Sequence, residues 1–307
     1  MATTRPKRES TAPSPSANGA TATDDDFGAK LRSLVTGRFF VESWRGFDEE
    51  RDPADRGAMR EAAITLVIAV VTLTLMEYAG ETRALRALIA WYEGPSPAGL
   101  GLELTLRTSG YWDLATLVHW CLTRIVGFGL VPLIVVAVRR RTRDDLHLRA
   151  KGLGEHAWMY GLAFVVVLSG VIVVSRRPEF ATYYPFDRQA NRSWVELLSW
   201  EALYFLQFLA LELFFRGFLL SGTKRAFGSG AIFVAMVPYV MIHFGKPMLE
   251  TLGAIVAGLF LGTLAMKTRS IWLGFLLHIA IALSMDLAAL VPSRGLPTTF
   301  YPTVLPW

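Results

Sequence analysis

The 307-residue chain contains one cysteine, Cys121. A single cysteine excludes an intrachain disulfide and any cysteine-based zinc cluster. Inside an apolar run, Cys121 reads as a small buried hydrophobe. Charge is scarce as well: 19% of residues are Asp, Glu, Lys or Arg, against about 25% in an ordinary soluble domain. Histidine is rarer, with five in the whole chain. The early basic residues Arg5, Lys7 and Arg8 are followed by no apolar run, so the start of the chain does not read as a secretory signal. The sequence also lacks an internal repeat of the kind that builds transporters from two halves. Hydrophobic residues are abundant, at 52%, and the mean hydropathy is +0.37. That balance excludes wholesale disorder and argues against a soluble globular enzyme. The net charge of +5 does not imply a nucleic-acid partner, because the basic excess lies in short loops between apolar runs, where membrane topology accounts for it.

Charge is concentrated at the start. Residues 1–60 carry about ten basic and about ten acidic side chains; beyond them, charges retreat into short clusters. Residues 1–58 therefore read as a cytoplasmic arm, disordered through the Ser-, Thr- and Pro-rich stretch 1–26. From 27 to 47, apolar residues alternate with Lys30, Arg32, Arg38 and Arg45, which fits either an amphipathic helix on the membrane surface or an ordinary cytosolic arm. A spanning helix needs about 20 mostly apolar residues. Seven stretches qualify: 59–78, 112–138, 157–174, 197–220, 226–244, 249–266 and 271–291. The expected fold is all-α, a polytopic bundle of about seven transmembrane helices. It divides into N-terminal helices and loops (59–194), a C-terminal core (195–291) and a short tail (292–307). Residues 80–110 read as an outer loop with an interfacial helix near 84–92, and 139–154 as a basic inner loop. With the N-terminus inside, roughly 20 Lys and Arg fall on the inner side and roughly 9 on the outer, so the bias favours that orientation.

Ionisable groups inside a span are costly and mark function by default. Glu212 and Arg216 lie one helical turn apart and can pair. Glu201 precedes Glu212 by eleven residues, close to the same helix face. Tyr239 and His243 are again one turn apart, before Gly245 and Pro247 break the helix. The last span carries His278 and Asp286. Two imidazoles and a carboxylate can hold a zinc ion or activate a water directly. His119 and Arg124 read as packing or interfacial groups, and His147 and His156, in a polar loop, carry no signal.

These residues reach a known pattern. Residues about 195–290 resemble the CPBP family of intramembrane proteases, which includes the CAAX-prenyl endopeptidases and bacterial bacteriocin-processing or self-immunity proteins. The family's first motif, Glu-Glu-x-x-x-Arg followed by Gly, is matched by the run from Leu211-Glu212 to Arg216-Gly217. Its second, Phe-x-x-x-His, corresponds to Tyr239 through His243, and its third, His followed four residues on by Asn, to His278 and Ala282. Two positions depart. Leu211 stands where the family has the water-activating Glu, and Ala282 where it has the Asn expected to stabilise the oxyanion. Glu212, Glu250 and Asp286 are the carboxylates left to compensate. The resemblance implies an intramembrane peptidase of the bacterial cell membrane acting on a membrane-associated peptide or protein. Glu212, His243 and His278 would form its catalytic and metal-binding set, with zinc as the metal, and Arg216 would orient Glu212. The losses at Leu211 and Ala282 equally suit a non-catalytic scaffold or immunity protein that binds a peptide. A small ion-linked transporter using Glu201, Glu212 and Asp286 is the third class. Depth introduces a tension. His278 lies about seven residues from the inner end of its span and His243 at least fourteen from the start of its own, a mismatch of ~10 Å that a fifth helix starting deep in the membrane, or tilted, would remove.

Overall fold

A computed structural model describes residues 24–52, 54–94, 101–139 and 143–302. Among them every regular element is helical, apart from one isolated bridge between Leu148 and Ser270. Of these, residues 24–42 belong to a unit of their own. Its helix α1 (Asp24–Val35) stops before Gly37, whose φ of +74° suits a residue without a side chain, and α2 (Arg38–Glu49) follows. The acidic run from Asp24 to Asp26 thus opens a helix rather than ending a disordered tail. Acidic residues at a helix start complement its dipole. The expectation of disorder for residues 1–23 lies outside the described residues.

The second unit begins at Ser43 and holds the bundle. Helix α3 (Arg56–Ala79) is capped by Asp55, whose side chain accepts from the Gly57 N–H. Two short helices, α4 (Thr82–Glu93) and α5 (Leu102–Thr108), fill the expected outer loop. A continuous rod from Trp112 to Val138 joins α6 (Trp112–Arg124) to α7 (Val131–Val138) through a π-helical stretch, Ile125–Leu130. Then come α8 (Gly154–Val174), the short α9 (Pro178–Tyr183), α10 (Trp194–Glu212), a second π-helical stretch at Leu213–Leu219, and α11 (Leu220–Phe227). Helix α12 (Gly230–Met241), α13 (Met248–Thr268) and α14 (Trp272–Ser293) complete the bundle. Six of these helical segments are long and apolar enough to cross a membrane by length and composition.

The fifth expected span is the exception. Residues 226 and 227 belong to the end of α11, Gly228 turns the chain at φ +58°, and α12 starts only at Gly230. Its 12 residues rise ~18 Å, against the ~30 Å of a hydrocarbon core. Pro238 within it removes one backbone donor. Its start at Gly230 leaves His243 thirteen residues along, against six for His278 from the start of α14 at Trp272, so the two are brought level by where α12 begins rather than by its length.

The α10–α11 rod forms the centre of the bundle: 72% of its apolar window is buried, against 17–39% in the other candidate spans. Its π stretch faces the π stretch of the α6–α7 rod, and Phe128 packs on Phe214 and Phe215 at ring separations of 4.9 and 5.8 Å. A π turn admits one extra residue and rotates the helix before it relative to the helix after it. Here it lies between Glu212 and the α11 end of the rod. Ser193 caps α10 by accepting from the Glu196 N–H, and the C-terminal strand of chain supports that start: the N–H groups of Trp194 and Val195 donate to the carbonyls of Thr299 and Phe300.

The inner loop corrects one sequence reading. His147 is not a solvated loop residue but fully buried, with a left-handed φ of +53°. The loop docks beneath the bundle. The Ile271 N–H donates to the His147 carbonyl at 2.9 Å, Trp272 Nε1 to the Leu148 carbonyl at 3.2 Å, and Ser221 Oγ to the Asp145 carbonyl. Gly217 makes room for it, since a Cβ there would stand 2.8 Å from the Leu146 carbonyl oxygen. Burial, reinforced by the charge of Lys224, lowers the His147 imidazole to about 3.

Candidate active site

Three helices supply the site: the end of α10, α12 and the first turns of α14. Glu212 closes α10 and Arg216 follows within the π stretch. Their side chains are 1% and 3% exposed, and Arg216 Nη1 lies 3.2 Å from Glu212 Oε1. The pair expected from the one-turn spacing is therefore formed. Arg216 also sits over the face of Tyr239, its guanidinium carbon 4.0 Å from the ring centroid, a cation–π contact strengthened by the burial of Arg216.

The same Glu212 oxygen lies 3.1 Å from His278 Nδ1. That nitrogen is also 3.1 Å from the Gly274 carbonyl, one turn earlier on α14. Both neighbours are acceptors, so Nδ1 carries the proton in the neutral ring and Nε2 is the bare nitrogen. Tyr239 Oη is 3.1 Å from that Nε2 and is the donor. Phe208 stacks on the imidazole at 5.4 Å with planes 12° apart, so the ring is held on a face and at both nitrogens. Gly274 lets Glu212 approach: a Cβ there would lie 2.8 Å from Glu212 Oε2. Gly258 on α13 makes room for α12: a Cβ there would lie 2.9 Å from Met236 Cγ, with the Tyr239 ring at 3.4 Å.

His243 joins through Tyr239 rather than through Glu212. It lies in the turn after α12, its Nδ1 donates to the Tyr239 carbonyl at 2.7 Å, and the two rings are 4.8 Å apart. Its Nε2 therefore presents a lone pair. Thr251 Oγ1 donates to the His243 carbonyl at 2.9 Å and fixes the turn on α13. The structure thus connects all four sequence-derived residues, Glu212, Arg216, His243 and His278, with Tyr239 at their centre. Among the described residues no cluster of three His, Cys, Asp or Glu side chains forms. Glu212 and His278 face each other across a hydrogen-bonded chain instead of converging on a common point.

Neither departure from the family pattern projects into this chain. Leu211 is buried in the apolar cluster with Phe214 and Phe215, and Ala282 in one with Cys121, Trp200 and Tyr204. Of the compensating carboxylates, Glu250 is engaged elsewhere: Lys246 Nζ donates to it at 2.6 Å and Tyr184 Oη at 2.8 Å. Burial, with the charge of Glu250 adding to it, holds the Tyr184 hydroxyl well above its usual range. Asp286 is buried against Glu201 across α10 and α14. His119 is a packing residue as expected, with Nε2 2.7 Å from the Ala79 carbonyl, and Arg124 lies over Trp120 at 4.2 Å. Sequence reasoning missed the hydroxyl of Tyr239 as a member of the site. The available signal was a Tyr standing where the family pattern has Phe.

Residues 193–284 match the sequence model of the family described as type II CAAX prenyl endopeptidase, Rce1-like. The match runs from the cap of α10 into α14 and takes in all three motifs. The 193–284 segment is thus similar to a CAAX-protease-type domain, carried in an integral, multi-pass membrane protein. Comparison with curated proteins and with solved structures gave no match.

Proposed function

We propose that this protein is an intramembrane peptidase that hydrolyses a membrane-associated peptide or protein by carboxylate- and imidazole-assisted attack of water. The observation that supports it most directly is the contact between Glu212 Oε1 and His278 Nδ1, at 3.1 Å in a place where the carboxylate is 1% exposed. A buried carboxylate at one nitrogen fixes the tautomer and orients the ring, as an orienting acid does for a catalytic histidine. Arg216, 3.2 Å from it, holds Glu212 in place. His243, with its Nδ1 tied to the Tyr239 carbonyl, presents a second imidazole nitrogen across that ring. General acid–base assistance of this kind contributes about 10²–10⁴-fold.

The test is hydrolysis of a labelled peptide library by purified protein in lipid vesicles, with zinc measured on the same preparation. Cleavage by the wild type, abolished in Glu212→Gln and in His278→Ala, would support the reading. Stoichiometric zinc that disappears in His243→Ala would overturn the metal-free chain. A second reading, a peptide-binding relative without turnover, is favoured by the burial of Leu211 and Ala282 in apolar clusters. Peptide binding without cleavage, and cleavage gained by Leu211→Glu, would establish it. Orientation follows from the Lys and Arg bias: the N-terminus faces the cytoplasm of a bacterial cell membrane. Reporter fusions at Gly152 and Gly295 should then report opposite sides.

A further inference from the structure

The geometry points to Tyr239 as the proton relay between the attacking water and His278, supplying the group that Leu211 lacks. This rests on the peptidase reading above and deepens it. Tyr239 is almost wholly buried. Its ring meets Phe215 edge-on at 5.5 Å, His243 at 4.8 Å and the Arg216 guanidinium at 4.0 Å. A phenylalanine would make every one of those contacts. What the hydroxyl adds toward α14 is the 3.1 Å hydrogen bond to His278 Nε2. A buried hydroxyl without a partner is costly, so its placement against the bare nitrogen is a built feature.

That bond changes how His278 can act. Its Nδ1 faces two acceptors, Glu212 Oε1 and the Gly274 carbonyl, and its Nε2 lone pair is already taken by the phenol. A base whose lone pair is occupied by a hydroxyl works through that hydroxyl. The water gives a proton to Tyr239 Oη as Tyr239 passes its own to His278 Nε2. The hydroxide left behind adds to the scissile carbonyl carbon. When the C–N bond breaks, the proton on Nε2 returns by the same route to the leaving amine. One water is consumed, one acid and one amine are formed, and Tyr239 and His278 end as they began. Glu212 faces the imidazolium that forms transiently, where its charge is most stabilising. The phenol thus performs from α12 what a carboxylate at Leu211 would perform from α10. Leu211 itself packs among Phe214 and Phe215.

The experiment is Tyr239→Phe on the peptide cleaved by wild-type protein in vesicles, paired with substitution of fluorotyrosine at the same position. Loss of the hydroxyl should lower kcat about a hundredfold or more and leave KM within a factor of about two. Fluorotyrosine, which keeps shape and hydrogen bond but makes the phenol more acidic, should fold normally and shift kcat measurably. Nitrogen chemical shifts of labelled histidine give a readout independent of turnover: the His278 Nε2 resonance should move in Tyr239→Phe while that of His119 does not. Unchanged kcat in Tyr239→Phe would overturn the relay. A rise would show that the hydroxyl is a cap that must leave, which overturns it equally. A wild type inactive on every peptide would remove the peptidase reading and the relay with it, and is recognised from the wild-type rate alone.

Discussion

Replacing Arg216 with alanine should destabilise the bundle from its centre. The guanidinium and the Glu212 carboxylate are 3% and 1% exposed and 3.2 Å apart. Removing one partner of a buried pair strands the other, at a cost of about 3–5 kcal/mol. The lost contact with Tyr239, 4.0 Å from guanidinium carbon to ring centroid, bears on the same residues, so the two effects are not simply added. At about 1.4 kcal/mol per decade, even the lower figure lowers the folded-to-unfolded ratio roughly a hundredfold. A domain with about 5–15 kcal/mol in total would lose a large part of its margin. Glu212→Gln should cost less. The amide still accepts from His278 Nδ1, and Arg216 keeps the face of Tyr239. Melting in detergent, followed by the monodisperse fraction that survives heating, orders the three proteins: wild type first, Glu212→Gln next, Arg216→Ala last. Wild-type melting for Arg216→Ala would mean that water reaches the pair and would refute the reasoning.

Gly274→Ala places a methyl 2.8 Å from Glu212 Oε2. It should displace the carboxylate from His278 at an overpacking cost of about 1–3 kcal/mol, so peptide hydrolysis should fall much further than thermal stability; equal losses in both would contradict a positioned carboxylate. The inner loop predicts a pH dependence. Burial, helped by Lys224, holds His147 at about 3, whereas the unfolded imidazole titrates near ~6.5. Between those values the unfolded state binds the proton and the folded state does not, so stability falls on acidification by up to about 1.4 kcal/mol per pH unit. His147→Asn, which tolerates the left-handed φ of +53°, should flatten melting temperature against pH across that window. A slope as steep as that of the wild type would show that His147 is not its source.

Much of this protein is legible in a linear reading because membrane helices are dictated by length and composition. A hydrocarbon core leaves a chain no alternative to helices that satisfy their own backbone, and the span 112–138 read from hydropathy is the one the structure builds. The Glu212–Arg216 pair is legible for the same reason: four residues on one helix are neighbours whatever surrounds them. The fifth span was misjudged because hydropathy is blind to Gly228. That residue ends one helix and starts the next without interrupting the apolar run from 226 to 244. His147 was misread because a polar segment looks the same whether it is solvated or docked. Docking depends on carbonyls of residues 145, 147 and 148 meeting donors from α11 and the start of α14.

The centre of the site belongs to the tertiary structure. Tyr239 and His278 are 39 residues apart in the chain and meet at 3.1 Å. Whether they meet depends on the depth of α12, the rotation of α14 and the room left by Gly258 and Gly274. None of these is encoded in the period of a single helix. A membrane helix is apolar on nearly every side, so its own pattern does not say which face turns inward. Packing against neighbouring helices decides that face. The sequence determined which segments become helices and which charges share one of them; packing between helices decided that a phenol, rather than a second carboxylate, stands beside His278.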